Sequence, residues 1–196
     1  SLRVTNWIST YVIFKNRIEK DSSFKKQLVE SLYLQYIYLY KNLEKDVLGN
    51  HYFENIKALL IGSIFFEDGN VKSKFTQELF KQLEEQILED GMHFELTPMY
   101  HKIILEDLIK ITVWFREEAF YDELCGYVQR MVDVMYSLEA GFGKTPAFND
   151  STDGISKSYK CLLETCKQEF SLNPNFVGSL TKSGYYIICN DKYKLI

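Results

Sequence analysis

The sequence predicts a mainly α-helical domain of paired antiparallel helices, followed by the first strands of a β domain. Apolar residues recur at intervals of three and four through most of the chain, which is the spacing of one helix face. The 196 residues include only 10 Gly and 3 Pro, so few positions interrupt regular elements. After Pro174 the helical period stops, and two short apolar runs near the C-terminus have the composition of strands.

Seven helices are predicted, several of them beginning at residues that cap or start a helix. The first covers 4–18, and Asp21 with the two serines after it caps a second helix that runs to about Tyr40. The other helices are expected at 49–66, 71–88, 97–115, 117–138 and 155–170. The loop 141–146 and the polar turn 148–154 precede the last helix. The final element is a β-hairpin with strands at 183–189 and 193–196, joined by residues 190–192.

Charge and hydropathy exclude two classes of partner. Lys and Arg total 23 against 27 Asp and Glu, a formal charge of -4, and no segment concentrates the basic residues that would neutralise nucleic-acid phosphates. The longest apolar run, 56–66, contains Lys57 and falls short of the roughly 20 residues that span a bilayer. We therefore expect neither nucleic-acid binding nor a membrane span. Aromatic residues make up 15% of the chain, and such rings stack on sugar faces as well as filling cores.

The cysteines show no spacing that suits zinc or a redox pair. Cys161 and Cys166 are five residues apart, which places them on different faces of a helix. We expect all four cysteines to be free, buried thiols: Cys125, Cys161, Cys166 and Cys189. The N-terminal residues have no basic segment followed by an apolar one, so no signal peptide is expected in this chain.

All three histidines lie in two short polar segments, each of which precedes or begins an apolar helix. His51 follows Asn50 at the start of the third helix, and His93 and His101 flank the start of the fifth. Helices that begin on the same side of a bundle bring their first turns to one end, where a site can form. The alternative is structural: Asn50 is an N-cap, Thr97 caps the later helix with Pro98 in its first turn, and the histidines are exposed polar residues. Spacing alone favours this structural alternative.

A resemblance to a known family favours the functional interpretation. Segment 49–60 has the sequence Gly-Asn-His-Tyr-Phe-Glu-Asn-Ile-Lys-Ala-Leu-Leu, and segment 90–101 is Asp-Gly-Met-His-Phe-Glu-Leu-Thr-Pro-Met-Tyr-His. Together they resemble the heparinase II/III-like polysaccharide lyases, which include alginate lyases. The family pattern is Asn-His before an apolar helix, then Asp-Gly, Phe-Glu, Ser-Pro and Tyr-His, from which Thr97 is a mild departure. Segments 1–3, 6–7, 148–150 and 183–185 agree with it in the same order.

The resemblance implies a fold and a reaction. The fold is an incomplete (α/α) toroid of antiparallel helical hairpins over 1–175, lacking N-terminal helices of the family, with the start of a truncated β-sandwich domain over 176–196. The reaction is cleavage of a uronic-acid polysaccharide by β-elimination, which removes the hydrogen at C5 and expels the O4 substituent to leave a 4,5-unsaturated sugar. Because the neighbouring carboxylate opposes carbanion formation, the site needs donors for that carboxylate and a base at C5.

The same resemblance implies roles for individual residues. Asn50 is expected to neutralise the carboxylate with His51 as its companion, and Tyr100 matches the family's catalytic tyrosine. This tyrosine protonates the leaving oxygen and, for some substrates, also removes the C5 proton. A first-turn position favours its phenolate, and a charged His101 would act in the same direction. Glu95 either binds substrate or lies exposed near a helix start. The remaining candidates for substrate binding are Arg3, Asn6, Trp7 and Asn149.

No cofactor is expected within this chain, because no cluster of metal-ligating residues is evident. In the family, a divalent metal where present lies in the β domain, which also supplies a histidine and often a tyrosine. The expected partners are an acidic polysaccharide and the chain's own C-terminal β domain, so the chain alone should have little or no lyase activity. The resemblance also implies a periplasmic or secreted location.

Two other functions stay open from the sequence. One is a non-catalytic helical domain that binds an acidic saccharide or serves as a scaffold, in which saccharide binding would survive loss of Asn50 and Tyr100. The other is a helical adaptor that binds no saccharide, which leaves the clustering of the three histidines unexplained.

Overall fold

The chain is mainly helical, as predicted. A computed structural model describes residues 1–45, 50–140, 143–189 and 194–196. The helices within these ranges are α1 Leu2–Ile13, α2 Lys15–Ile18, α3 Ser22–Lys41, α4 Asn50–Phe65, α5 Gly69–Gln86, α6 Pro98–Trp114, α7 Tyr121–Glu139 and α8 Tyr159–Phe170. The strands are β1 Ser179–Leu180, β2 Tyr185–Tyr186, β3 Ile188–Cys189 and β4 Lys194–Leu195. By compactness the chain divides into two units, residues 1–80 and 81–196.

In the first unit, α4 is the central helix. It contacts α1 and α3, and every residue from 55 to 63 is buried. A helix that is buried on all sides needs neighbours on several faces. Gly62 lets α3 approach closely, because a Cβ at this position would lie 2.5 Å from the ring of Tyr36. The first residues of α4 therefore belong to a helix that is firmly packed in the core of this unit.

In the second unit, α6 and α7 pack on each other and both contact α8. A further apolar cluster joins Met92 and two residues of α7 to Leu180 and Ile187. The short strands therefore share a core with helical residues. They form two antiparallel pairs, β1 with β2 and β3 with β4.

Several predicted boundaries are confirmed and others shift by a few residues. Asp21 caps α3 as predicted, with its Oδ1 accepting from the Phe24 N–H at 2.9 Å. The first predicted helix is broken at Phe14, which ends α1. The last helix begins at Tyr159 instead of 155, because Ser158 provides the cap by accepting from the Cys161 N–H at 3.3 Å. The sixth helix likewise begins later than predicted, at Tyr121.

The predicted hairpin is confirmed in part. Residues 188–189 pair with 194–195, whereas the pairing of β1 with β2 had no clear sequence signal. The predicted turn 190–192, the strand residue Tyr193, the helix start at Gly49 and the loop residues Gly141 and Phe142 lie outside the described residues. The domain boundary at 175/176 stays a prediction.

The prediction of four buried thiols is confirmed for only one of them. All four cysteines are free, but Cys161 and Cys189 are exposed, Cys125 is half-buried and only Cys166 is buried. Cys161 is exposed because it lies in the first turn of α8, a helix with a single buried face. Within the described ranges, no helix has the length and apolar character to cross a bilayer.

Candidate functional site

The first turn of α6 carries Tyr100. Pro98 is the first helical residue, so the half-buried Tyr100 lies in the first turn, as predicted. Thr97 occupies the N-cap position, but its hydroxyl donates to the Glu95 carbonyl at 3.1 Å and makes no capping bond. The prediction that the Thr97 side chain caps this helix is therefore wrong. The Met99 N–H is instead bonded to Ser151 Oγ at 3.0 Å.

The residue before the N-cap, Leu96, is held from two directions. Its φ is 54°, in the left-handed region that a non-glycine residue seldom adopts. Its carbonyl accepts one hydrogen bond from Asn149 Nδ2 and another from Tyr185 Oη, each at 2.7 Å. The rings of Tyr185 and Phe148 stack with their centroids 5.7 Å apart. Segments 90–101, 148–150 and 183–185, which carry the family resemblance in this unit, thus meet around Leu96.

Asp90 holds the segment around Ser183 in place, and Gly91 allows a close approach to α7. Asp90 Oδ2 accepts from the backbone N–H of Lys182 at 2.9 Å and of Ser183 at 2.8 Å, and from the Ser183 hydroxyl at 3.0 Å. Gly91 has φ 89°, and a Cβ there would lie 2.6 Å from the Arg130 carbonyl. Only glycine fits such a close approach without a backbone shift. The Asp-Gly pair therefore has a structural role beside Tyr185.

His93 and His101 are both fully buried. The Nδ1 of His101 accepts from the His93 N–H at 3.2 Å, so the ring proton is on Nε2, which donates to the Met131 carbonyl at 2.9 Å. Burial lowers the pKa of His101 to about 4 and that of His93 to about 3. His101 is therefore neutral near pH 7, with both ring nitrogens bonded inside the protein. The expectation that a charged His101 favours the Tyr100 phenolate is not supported.

Lys102, the next residue, joins α6 to two other segments. Its Nζ lies 2.8 Å from Glu139 Oε1 at the end of α7 and donates to Thr145 Oγ1 at 2.5 Å. Lys102 and Glu139 side chains are each only 3% exposed. A buried ion pair of this kind tolerates poorly the loss of one partner. Lys102 therefore couples the start of α6 to the end of α7 through Glu139, and to the chain after α7 through Thr145.

In the first unit, Asn50 and His51 begin α4. Asn50 is half-buried, and the His51 side chain is 56% exposed. His51 Nδ1 lies 3.8 Å from Glu44 Oε1. Buried Asn55 holds Glu44 in place: its Nδ2 donates to Glu44 Oε2 at 2.8 Å and its Oδ1 accepts from the Glu44 N–H at 3.0 Å. Asn55 thus holds the Glu44 carboxylate that faces His51.

An open groove of about 1010 Å³ lies beside His51 in this unit. Its lining residues are Ser1, Leu2, Arg3, Val4, Ser31, Leu34, Gln35, Tyr38, Leu39, Asn42, Glu44 and His51. The groove brings together two of the predicted site residues, Arg3 and His51. Asn6 and Trp7 are exposed on α1 but do not line it. Hydroxyl, amide, guanidinium and aromatic groups of this kind suit a polar, charged ligand.

Two other predicted site residues belong to the second unit. Glu95 is close to Tyr100 in the sequence, and Asn149 is hydrogen-bonded to Leu96. Glu95 is half-buried, and burial together with the nearby Asp150 raises the pKa of its carboxyl. Asn149 is exposed, although its amide is bonded to Leu96 as described. Among the described residues, no group of three or more His, Cys, Asp or Glu side chains could hold a metal ion.

Sequence reasoning missed the residues that support the site. Lys102 was not singled out, and three others were noted only as parts of longer segments: Asn55 in 49–60, Ser151 in 148–154 and Tyr185 in 183–185. The signal for Lys102 was a lysine directly before the apolar residues 103–105, where a buried charge needs a partner. The partners of Ser151 and Tyr185 lie far away in the sequence, where spacing gives no signal.

The helices, the first-turn motifs and the matched sequence define the class of this protein. The chain belongs to the family described as Heparinase II/III N-terminus, which matches residues 1–176. The resemblance stated from the motifs is thereby confirmed.

Two known proteins are similar to this chain. A curated protein named heparin-sulfate lyase, from Pedobacter heparinus, is 24% identical over 157 residues, which are 76% of this chain and 24% of the relative. The crystal structure of heparan sulfate lyase HepC from Pedobacter heparinus aligns with a TM-score of 0.58 and 22% identity, over 78% of this chain and 25% of that one. The structural likeness shows a shared fold. The chain spans about a quarter of the length of each relative.

Proposed function

We propose that this chain is the helical part of a polysaccharide lyase that cleaves a uronic-acid polymer by β-elimination. The observation that carries the proposal is the position of Tyr100, half-buried in the first turn of α6, in a chain of the heparinase II/III family. The positive end of the helix dipole lies at that turn and favours a developing phenolate. A tyrosine so placed is suited to exchange a proton with the substrate.

The reaction assigns a role to each motif. A base removes the C5 proton, the electron pair forms the C4–C5 double bond, and the O4 substituent leaves with a proton. Tyr100 donates that proton and, for substrates of suitable stereochemistry, first takes the C5 proton. Asn50 donates its amide hydrogens to the C5 carboxylate, which lowers the cost of the carbanion. The exposed His51 imidazole, beside the groove, is its companion.

The remaining predicted residues bind the polymer. Arg3 and His51 line one groove, which supports a role in holding an acidic saccharide. Asn6 and Trp7 extend the exposed side of α1, where an indole ring can stack on a sugar. Asn149 and Glu95 would contact the polymer near Tyr100.

The relatives favour a substrate of the heparan sulfate type. One is named heparin-sulfate lyase and the other heparan sulfate lyase. We infer that the helices form part of a toroid and that a β-sandwich domain follows and completes the site. On this proposal the 196-residue chain has little or no activity by itself, because groups from the β domain are required.

The test uses the longer protein that combines this chain with its β domain. The protein is incubated with heparan sulfate, heparin, alginate and other polymers of glucuronate, iduronate, mannuronate and guluronate, and the ultraviolet absorbance of the unsaturated product is followed. Tyr100→Phe should lower kcat by about 10²–10⁴-fold, and Asn50→Ala by about 10²–10³-fold. Tyr127→Phe and Asn173→Ala are matched controls that should retain activity.

Three outcomes contradict the proposal. A protein that is inert on every polymer, with no change caused by Asn50→Ala, would not be a lyase of this kind. Saccharide binding that survives both Tyr100→Phe and Asn50→Ala, without any product, would identify a non-catalytic binding domain. An absence of both binding and product would favour a helical adaptor.

A further inference from the structure

The first turn of α6 is capped from outside its own helix. A helix N-terminus leaves backbone N–H groups without partners inside the helix, and an N-cap side chain ordinarily accepts from one of them. Thr97 does not, since its hydroxyl is bonded to the Glu95 carbonyl. Ser151 Oγ takes this place at the Met99 N–H, 3.0 Å away and 52 residues further along the chain. The residue next to Met99 is Tyr100.

The residue that leads into this turn is held in a strained conformation. Leu96 has φ 54°, which is unfavourable for a branched aliphatic residue and persists only where surrounding contacts determine it. Two donors converge on its carbonyl, Tyr185 Oη and Asn149 Nδ2. Stacking of Tyr185 on Phe148 fixes the direction from which the Tyr185 hydroxyl arrives.

We propose that Ser151 and Tyr185 are positioning residues for Tyr100. Ser151 holds the first turn of α6 and Tyr185 holds the strained residue before it, so that the phenol of Tyr100 points to one place. The inference rests on the proposed function, in which that phenol exchanges a proton with the substrate. A proton donor must lie within hydrogen-bond reach of the leaving oxygen, and a displacement of about 1 Å lowers the rate by about a hundredfold.

A second hydrogen bond holds the segment that contains Ser151 against α6. Lys102, two residues after Tyr100, donates to Thr145 Oγ1, six residues before Ser151. Thr145 in turn donates to Asp153 Oδ1 at 3.4 Å. The segment 145–153 is thereby tied to α6 on either side of Tyr100, at Met99 and at Lys102.

The first arm of the experiment measures how often the first turn of α6 opens. Four variants are made in the protein with its β domain: Ser151→Ala, Ser151→Thr, Tyr185→Phe and the neighbouring exposed control Thr152→Ala. Amide hydrogen exchange is followed by mass spectrometry in peptides that cover 96–101, with peptides from the start of α4 as an internal reference. Loss of a cap raises the opening equilibrium of a first turn by roughly fivefold to tenfold. We expect this acceleration in Ser151→Ala, its reversal in Ser151→Thr, and no change in Thr152→Ala.

The second arm measures catalysis with a matched pair of tyrosines. Tyr185→Phe removes the hydroxyl that holds Leu96, whereas Tyr186→Phe removes the hydroxyl of its exposed neighbour. Tyr185→Phe and Ser151→Ala should each lower kcat by roughly tenfold and leave KM within about twofold, the pattern of a group that acts only on the transition state. Tyr186→Phe should change neither quantity.

The outcomes separate this inference from the proposed function. Unchanged exchange in 96–101 for both Ser151→Ala and Tyr185→Phe overturns the inference. So does faster exchange with an unchanged kcat, or an effect confined to KM. If the unmodified protein forms no product from any uronate polymer, the proposed function fails, and the exchange arm still decides whether these two side chains hold the turn.

Discussion

The two helices that carry the family motifs begin alike in sequence and lie in opposite environments. α4 starts with Asn50 and His51, and α6 has Tyr100 and His101 in its first turn and a half. The side chain of His51 is 56% exposed beside a groove, whereas His101 is fully buried against the backbone of α7. A histidine after a candidate catalytic residue is thus an exposed residue beside a groove in one case and a core residue in the other. The packing around each helix start determines whether its histidine is exposed or buried, and the sequence motif does not.

Each of the same helices also carries a buried lysine, Lys57 in α4 and Lys102 in α6. Lys57 Nζ lies 2.5 Å from Glu54 Oε1, one turn away on the same helix. Lys102 reaches Glu139 and Thr145, which belong to other segments. The start of α6 is therefore held by tertiary contacts that extend over the second unit.

The largest effect on stability is expected at Lys102. Lys102→Ala removes the cation that lies 2.8 Å from the buried Glu139 carboxylate, and removal of one partner of a buried pair costs about 3–5 kcal/mol. Denaturant-induced unfolding measures the loss. The double variant Lys102→Met with Glu139→Met should recover most of it, because no charge is left buried.

A surface pair provides the control for Lys102. Lys157 Nζ lies 3.3 Å from Glu106 Oε1, with the lysine side chain 51% exposed. Lys157→Ala should cost less than about 1 kcal/mol. Equal effects of the two lysine substitutions would show that burial does not determine the strength of the Lys102 contact.

The next largest effect is expected at His101. His101→Ala empties a ring-sized space and leaves the Met131 carbonyl and the His93 N–H without their partner. A cavity together with unpaired buried groups corresponds to about 2–4 kcal/mol of unfolding free energy. Thermal and denaturant unfolding would measure this loss, and a value below about 1 kcal/mol would contradict the core role of His101.

The buried histidines also make stability depend on pH. The pKa of His101 is lowered to about 4 and that of His93 to about 3 by burial, whereas an unfolded histidine titrates near 6.5. Below about pH 6.5 the unfolded chain therefore binds more protons than the folded one. This contribution to stability is complete above that pH and is lost as the pH falls toward 4. The slope approaches about 1.4 kcal/mol per pH unit for each histidine.

The pH dependence is best measured between about pH 6.5 and 5, above the range in which most carboxylates titrate. His93→Gln should remove the part of the slope that His93 contributes. A slope that stays the same in His93→Gln would contradict the burial argument.

The sequence predicted those features that depend on neighbouring residues in the chain. Helix period located most helices, Asp21 identified the start of α3, and Pro98 placed Tyr100 in a first turn. The cap of α6 was assigned to Thr97, because the sequence gives no sign that Ser151 approaches from 52 residues away. The left-handed Leu96 was equally unpredictable, since its conformation is maintained by distant donors.

The smallest effect on stability is expected at His51. His51→Ala removes an exposed side chain whose Nδ1 lies 3.8 Å from Glu44 Oε1, so the unfolding free energy should change by less than about 0.5 kcal/mol. On the proposed function, the same substitution weakens turnover of the uronate polymer, because the imidazole lies beside the groove that contains Arg3. His51→Ala should therefore separate activity from stability, whereas His101→Ala should change both. A loss of stability at His51 as large as that at His101 would remove the distinction between the two helix starts.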